Sequence, residues 1–464
     1  MIDPDVARRV LDEAMRTGGD FAEIFAEDRR SNSTGLDDGR IEEFVTGRSR
    51  GAGIRVQAGE TTGFAHTAAL TEDALLAAAR DAAAAARSAT SGTRTVESTP
   101  LRAVEPVAHD IAAPVGDVSA EDRVAALRSA DEAARATGAS VVQVSAFYSD
   151  GVRRIFVANT DGVLATDATS RVRLGVTVVA SGDAGMQTGF HAPAYTGGWE
   201  YFDDVDPADV AREAARQALV LVDAQPAPSG KLPVVLAKGA GGVLFHEACG
   251  HGLEADLVAK GASVFAGRRG EQLASPLVTV IDDGAYARGW GTAGVDDEGT
   301  PVRRNVLIED GVLTDYMWDG IRARRDGRAL SGNGRRQTYR DLPMVRMTNT
   351  HVLPGDSDPD DIVADTQRGV YVASLSGGSV NTATGDFVFG MSEAYMIENG
   401  RITHPLRGAN LIGNGPDVLA RIDAVGSDFD TWPGTCGKDG QSVPVTAGQP
   451  TLRVTEMTVG GTAA

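Results

Sequence analysis

GGVLFHEACGHGLEAD, residues 241–256, brings His246, Glu247 and His251 within six positions. The pattern is H-E-x-x-x-H, one residue longer than the H-E-x-x-H of zinc peptidases. Gly241-Gly242 opens a helix, and Val243, Leu244, Phe245, Leu253 and Leu257 give it apolar surface to bury. On a regular α-helix residues i and i+4 lie about 40° apart, whereas i and i+5 lie about 140° apart. His246 and His251 therefore cannot share one metal ion from an undistorted helix. A π-bulge, or a break at Gly250, brings both imidazoles to one side. Glu247 is then placed to act as general base toward an attacking water. The plainer alternative is two helix-surface histidines beside an unrelated acid.

A zinc site needs a third protein ligand. The chain has only two cysteines, Cys249 and Cys436. Cys249 lies three residues after His246 and could share its helix face, but a helical cysteine is more often a small core residue. Cys436 sits in Trp432-Pro433-Gly434-Thr435-Cys436-Gly437-Lys438, which reads as a Gly/Pro loop, and Lys438 would favour its thiolate. The balance favours Cys436, with Glu254 and Asp256 as carboxylate alternatives.

At 464 residues the chain can hold two or three domains, each with its own core. Two cysteines cannot frame a disulfide-stapled fold. A formal net charge of −20 repels phosphate backbones and argues against nucleic-acid binding. The start, MIDPDVARRV, lacks a signal peptide's apolar core, and no apolar run is long enough to span a membrane. The expectation is a soluble protein of a reducing cytoplasm.

In chain order, residues 2–17 read as a helix stopped by Gly18-Gly19. Strand signals follow at 21–27, 41–45, 53–56 and 61–67, then an Ala-rich helix from Thr71 to about Arg87. Residues 90–118 read as a connection. Ser119 and Asp122 start a helix to about Thr137. Residues 141–180 read as a meander with turns at Ser149-Asp150-Gly151 and Thr160-Asp161-Gly162, and 208–222 as another helix. Two segments echo each other: GIRVQAGETTGFAHT at 53–67 and GVTVVASGDAGMQTGFHA at 175–192. Internal repetition and chance similarity of two hairpins both explain the echo. His66 and His191 within them read as structural. Gln225-Pro226-Ala227-Pro228-Ser229-Gly230 is the best linker. It divides an N-terminal α+β region, 1–225, from a C-terminal domain, 231–464. The first region divides further at about 1–95 and 118–225. After residue 278 strand signals dominate, with hairpin turns at Glu309-Asp310-Gly311 and Glu398-Asn399-Gly400. The fold class is α+β: helices on antiparallel sheets, then a β-rich domain carrying the H-E-x-x-x-H helix.

The sequence resembles the TldD/PmbA peptidases, once described as modulators of DNA gyrase. The resemblance covers essentially the whole chain. It is carried by HEACGHGLEAD, DDEGTP at 296–301, GNGRRQTYRDLPMVRMTNT at 332–350, TGDFVFGMSEAYMIENGRITHPLRGANLIGNG at 384–415 and CGKDGQSVPVTAGQPTLRV at 436–454. The PmbA (TldE) branch lacks the metal motif, so the chain looks like the catalytic partner. The family often has a plain apolar residue where this chain has Cys249. The resemblance implies a zinc metalloprotease with one Zn2+ held by His246, His251 and Cys436, and Glu247 as base. It implies unfolded or flexible peptide substrates, including peptide-antibiotic precursors and antitoxins. It also implies a working dimer, either with a metal-free PmbA/TldE-like paralogue or with a second copy. His404, Tyr395, Asn333 and Arg336 fall in the motifs as candidate oxyanion donors. The competing reading is a non-catalytic regulatory protein of the gyrase-modulator kind, with a structural metal site.

Overall fold

The computed structural model describes residues 1–87, 99–109, 111–183, 185–239 and 241–462. Residues 90–98 and 110 of the expected connection, and the subdomain division near residue 95, lie outside them. The N-terminal part is built from α1 (Pro4–Met15), β1 (Phe21–Asp37), β2 (Arg40–Ala58), β3 (Thr61–Thr67), α2 (Glu72–Arg87), β4 (Arg102–Val104), α3 (Ala120–Arg135), β5 (Val141–Asn159), β6 (Val163–Gly182), β7 (Gly185–His191), β8 (Ala194–Thr196), α4 (Tyr201–Asp204) and α5 (Pro207–Val222). All eight strands form one sheet, ordered β3-β2-β1-β5-β6-β4, with β7 and β8 also on β6. The helix starts follow their caps: Asp3 accepts from Asp5 N–H, Ser119 from Asp122 N–H and Asp206 from Ala208 N–H.

The sequence echo corresponds to a repeated unit. α1-β1-β2-β3-α2 and α3-β5-β6-β7-α5 have the same order, and the equivalent strands β1 and β5 lie side by side, antiparallel. The same glycine does the same work in each half. A Cβ on Gly63 would sit 2.0 Å from the Ala82 carbonyl oxygen and 2.4 Å from the Ala86 nitrogen. A Cβ on Gly189 would sit 2.0 Å from the Ala214 oxygen and 2.6 Å from the Ala218 nitrogen. Each alanine-lined helix thus rests directly on the glycine of its hairpin. His66 lies 6.1 Å from the Tyr339 ring and His191 5.7 Å from the Trp432 ring, centroid to centroid.

Two strand expectations need correction. Residues 41–45 and 53–56 are parts of the single long strand β2. Ser149-Asp150-Gly151 is not a turn, because β5 runs straight through it. Asp150 is paired in register with Asn32 on β1 and Val172 on β6. Its side chain accepts from Asn32 Nδ2 at 2.8 Å and faces Arg123 at 3.4 Å. Partners on two neighbouring strands outweigh the local turn preference. Thr160-Asp161-Gly162 does turn, with Gly162 at φ +92°.

The C-terminal part holds β9 (Gln225–Pro226), β10 (Gly230–Leu236), β11 (Val280–Asp283), β12 (Arg304–Glu309), β13 (Val312–Leu313), β14 (Gly334–Arg335), β15 (Met344–Val345), β16 (Asn349–Val352), β17 (Arg368–Val380), β18 (Asp386–Glu398), β19 (Arg401–Arg407), β20 (Asn410–Asn414), β21 (Ile422–Val425), β22 (Asp430–Lys438), β23 (Gln441–Gln449) and β24 (Leu452–Gly460). One sheet runs β17-β10-β24-β20-β18-β19-β9 and another β13-β12-β11-β16-β23-β22. The Asp310-Gly311 and Asn399-Gly400 turns take the expected left-handed backbone, with φ of 47° and 81°, and 52° and 71°. Cys436 is not in a loop. It lies on the edge strand β22, where Pro433 is tolerated because the outer side needs no N–H donor. The linker is docked: β9 pairs with β19 and Ala227 is fully buried. No described helix is long and apolar enough to cross a membrane.

The N-terminal sheet keeps its helices on one face and meets the C-terminal part with the other. Arg55 bonds Glu23 at 2.9 Å and Glu298 at 2.7 Å, all three side chains at most 5% exposed. Arg336 reaches Glu23 at 2.5 Å, and Arg153 spans Glu27 and Asp297, both at 2.7 Å. The acidic motif at 296–298 is therefore a clamp between the two parts.

The repeated glycine contact predicts matched losses. Gly63→Ala and Gly189→Ala should each lower stability by about 1–3 kcal/mol in urea denaturation, because the helix must lift. Gly138→Ala, where a Cβ meets nothing within 4 Å, should stay within about 0.5 kcal/mol of the parent.

Candidate metal centre

The motif begins as a short helix, α6 (Gly242–Phe245), continues as a π turn over His246–Gly250, and ends as a 3-10 turn over His251–Leu253. The His251 N–H donates to the His246 carbonyl oxygen, five residues back. This is the distortion that H-E-x-x-x-H requires. Close approach at glycines holds it. A Cβ on Gly242 would lie 2.7 Å from the Gly448 nitrogen, and one on Gly250 would lie 2.2 Å from the Met347 sulfur. From the other side, a Cβ on Gly415 would lie 2.2 Å from the Ala248 oxygen.

The π turn puts the two imidazoles together, with ring centroids 5.0 Å apart and planes at 84°. Strand β22 brings in Cys436, whose Sγ lies 3.3 Å from His251 Nε2. One donor atom from each of His246, His251 and Cys436 lies within 4.8 Å of the others, and all three residues are buried. Ligands of one tetrahedral zinc ion stand roughly 3.3–3.6 Å apart, so slight closure suffices. Two imidazoles and a thiolate form a donor set that suits zinc. His246 Nδ1 is buried without a hydrogen-bond partner, as a nitrogen reserved for another use would be.

The electrostatics point the same way. Burial pushes the Cys436 thiol up, but His246 and His251 more than offset it and bring it to about 4. Burial also opposes charge on His251, yet Glu254 and Cys436 together raise its proton affinity well above the usual histidine range. The space between these groups favours positive charge. His251 Nδ1 lies 3.1 Å from Glu254 Oε2, which orients the ring and leaves Nε2 facing Cys436. Burial would raise the Glu254 carboxyl, but His251 and Lys438 hold it at about 2.

Lys438 does not serve the thiolate as the sequence suggested. Its Nζ donates to Glu254 at 3.0 Å, Asp256 at 2.7 Å and the Val345 carbonyl at 3.0 Å. Glu254 and Asp256 therefore stand behind the cluster. Cys249 is packed in the core, with Sγ donating to the Phe245 carbonyl, and burial pushes its thiol up to about 12. Glu247 sits at the rim. Its side chain is 22% exposed, and Oε2 lies 3.9 Å from His251 Nε2.

The oxyanion candidates have structural partners. Asn333 Nδ2 donates to Asp282 and the Arg346 carbonyl, Arg336 to Glu23, and Tyr395 OH to Glu393, while His404 Nδ1 lies 3.3 Å from Thr403 Oγ1. Sequence reasoning missed Arg346. It is fully buried and donates to the Cys436 and Gln441 carbonyls, bracing the β22–β23 hairpin from within. A lone arginine in the apolar run Pro343–Met347 was its one signal.

Comparison with known proteins agrees with this architecture. Models of the PmbA/TldA metallopeptidases match in three pieces: domain 1 over residues 22–86, the central domain over 113–222 and the C-terminal domain over 229–461. The metalloprotease TldD homolog of Haemophilus influenzae is 41% identical over 453 residues, covering 96% of this chain and 93% of the relative. A metalloprotease of Methanothermobacter thermautotrophicus is 36% identical, covering 96% of each chain. A zinc metalloprotease TldD homolog of Saccharolobus solfataricus is 28% identical over 68% of this chain and 70% of its own. Among solved structures, a DNA gyrase modulator from Thermotoga maritima superposes with a TM-score of 0.81 at 22% identity, covering 98% of this chain and 99% of the other. TldE from Thermococcus kodakarensis gives 0.80 at 19% identity, covering 98% of this chain and all of the other. These two likenesses concern the fold. The matched models and the relatives aligned over nearly full length show that the chain belongs to the PmbA/TldD family of metallopeptidases.

Proposed function

We propose that the chain is a zinc peptidase acting on unfolded or flexible peptides, with His246, His251 and Cys436 as metal ligands and Glu247 as general base. The observation that carries the reading is the convergence of these three buried donors with Glu247 at their rim. Zinc bound there would lower the pKa of water and polarise the scissile carbonyl. Glu247 takes the proton of the attacking water and passes it to the leaving amine. Its partial exposure lets it meet a substrate, while the ligands stay dry. Glu254 holds the His251 ring, and Lys438 holds Glu254.

Substrate affinity comes from the main chain. Among the described residues β22 pairs only with β23, so its outer edge is open to an added strand beside Cys436. Edge pairing accepts many sequences but requires an extended chain, which fits peptide-antibiotic precursors and antitoxins. The partner is a metal-free TldE-like paralogue or a second copy; the protein named TldE shares the whole fold. The proposed location is a reducing cytoplasm, where Cys436 stays reduced and able to bind metal.

Metal content and cleavage of an unfolded peptide, measured with and without a TldE-like partner, test the reading. Glu247→Gln should keep its zinc and lose about 10²–10⁴-fold in kcat. Stoichiometric zinc with no cleavage under either condition would leave a regulatory protein with a structural metal. Zinc occupancy should fall in Cys436→Ser and hold in Cys249→Ser; equal occupancy in both would remove Cys436 from the ligand set.

A further inference from the structure

A cavity of about 440 Å³ lies between the open face of the N-terminal sheet and the β22–β23 hairpin. Arg29, Arg153, Arg171, Arg335 and Arg336 line it, against only two carboxylates, Asp150 and Asp297. In a chain of net charge −20, so many guanidinium groups around one cavity call for a cause.

The strand register gathers them. Arg29 stands opposite Arg153, and Arg171 stands opposite Gly151, so all three side chains leave the same face of the sheet. Like charges placed directly opposite destabilise a sheet. Arg153 is answered by Glu27 and Asp297, and Arg336 by Glu23, which leaves Arg29, Arg171 and Arg335. Asp297 is taken by Arg153 and by the Arg336 N–H. Asp150 is taken by Asn32 and Arg123.

Arg171 and Arg335 form no direct ion pair among the described residues; Asp297 acts on both only from a distance. Arg171 donates only to neutral oxygens: the Trp290 carbonyl at 2.9 Å, the Thr292 carbonyl at 3.1 Å and Thr169 Oγ1 at 3.3 Å. Arg335, 8% exposed, donates to the Met347 and Pro444 carbonyls. Arg153 Nη2 and Arg336 Nη1 are buried without any partner. Burial first, and then the neighbouring arginines, push Arg171 down to about 9; burial brings Arg335 down to about 10, with Asp297 acting against it. Arg335 is buried and Arg171 half-buried, and guanidinium groups withdrawn from water without a paired anion are expensive to keep.

We infer that this cavity is a binding site for a small multivalent oxyanion, a phosphate or carboxylate compound, whose charge Arg171 and Arg335 neutralise. Guanidinium forks match both groups. Ser31, Asn32, Ser149 and Ser442 supply further polar contacts on the wall. The site is separate from the metal centre and independent of the peptidase reading. Thr435 and Pro444 are cross-strand partners that line the cavity, and Val443 lines it too, whereas Cys436 turns into the buried core. An occupant therefore sits behind the hairpin that presents Cys436. It links Arg171 on β6 to Arg335 on β14, one from each part of the chain.

The test uses the full chain at low ionic strength. Inorganic pyrophosphate and citrate are titrated against sodium chloride of matched ionic strength, with Tm and calorimetric binding as readouts, and a short oligoglutamate peptide forms a separate arm. Pyrophosphate or citrate should raise Tm by about 2 °C or more beyond the chloride control. Arg171→Gln should weaken that binding by about 10- to 100-fold. Gln337→Glu gives a second variant that keeps the Oε1 acceptor for the Ser442 N–H while placing a carboxylate on the cavity wall. It should raise Tm without ligand and weaken anion binding. A Tm response no larger than that to chloride, undiminished affinity in both variants, or binding of the peptide but neither small anion would overturn the inference.

Discussion

One backbone hydrogen bond, from His251 N–H to the His246 carbonyl, sets the geometry of the centre. Without that wider turn the two imidazoles would point about 140° apart. The turn is less favourable than an α-helix left to itself, so the surroundings must impose it. They do so through contacts that only glycine permits: Gly242 against the Gly448 backbone, Gly250 against Met347, and Gly415 against Ala248. The C-terminal sheets thus act as a mould for the motif, and the placement of the two histidines follows from the mould.

A second constraint joins the two parts of the chain. Glu23, Arg55, Arg153, Asp297, Glu298 and Arg336 form a largely buried lattice of ion pairs across the open face of the N-terminal sheet. Removing one member of a buried pair strands the other, which typically costs about 3–5 kcal/mol. Such a lattice favours one docking geometry over its neighbours, because a small slip leaves several charges unpaired at once. Residues 296–298 therefore belong to the architecture.

Local signals were legible in the sequence wherever local physics decides. The cap at Ser119, the left-handed turns at Asp310-Gly311 and Asn399-Gly400, and the need for a distorted helix at H-E-x-x-x-H all follow from short-range geometry. The echo around Gly63 and Gly189 was visible as well, but its meaning required the helices seated on those glycines. Long-range pairing was not legible. Ser149-Asp150-Gly151 has the composition of a turn, yet β1 and β6 hold it extended from both sides. Pro433 and Gly434 suggested a loop, yet an edge strand has room for both. Lys438 lies two positions from Cys436, yet strand β22 sends it toward Glu254 and Asp256 instead. Arg346 stands out as a lone arginine in an apolar run, but its role was not legible, because its partners are carbonyl groups about ninety residues away.

Cys436 lies 185 residues beyond His251 in the chain. During synthesis the two histidines emerge long before the thiol, and the strands β22 and β23 that place it are among the last to form. The three-donor centre is therefore absent from any partly made chain. Pairing at such sequence separation is slow, since a long loop must close before the contact forms. On the proposed reading of the site, the chain stays inert until the end of its C-terminal part is in place.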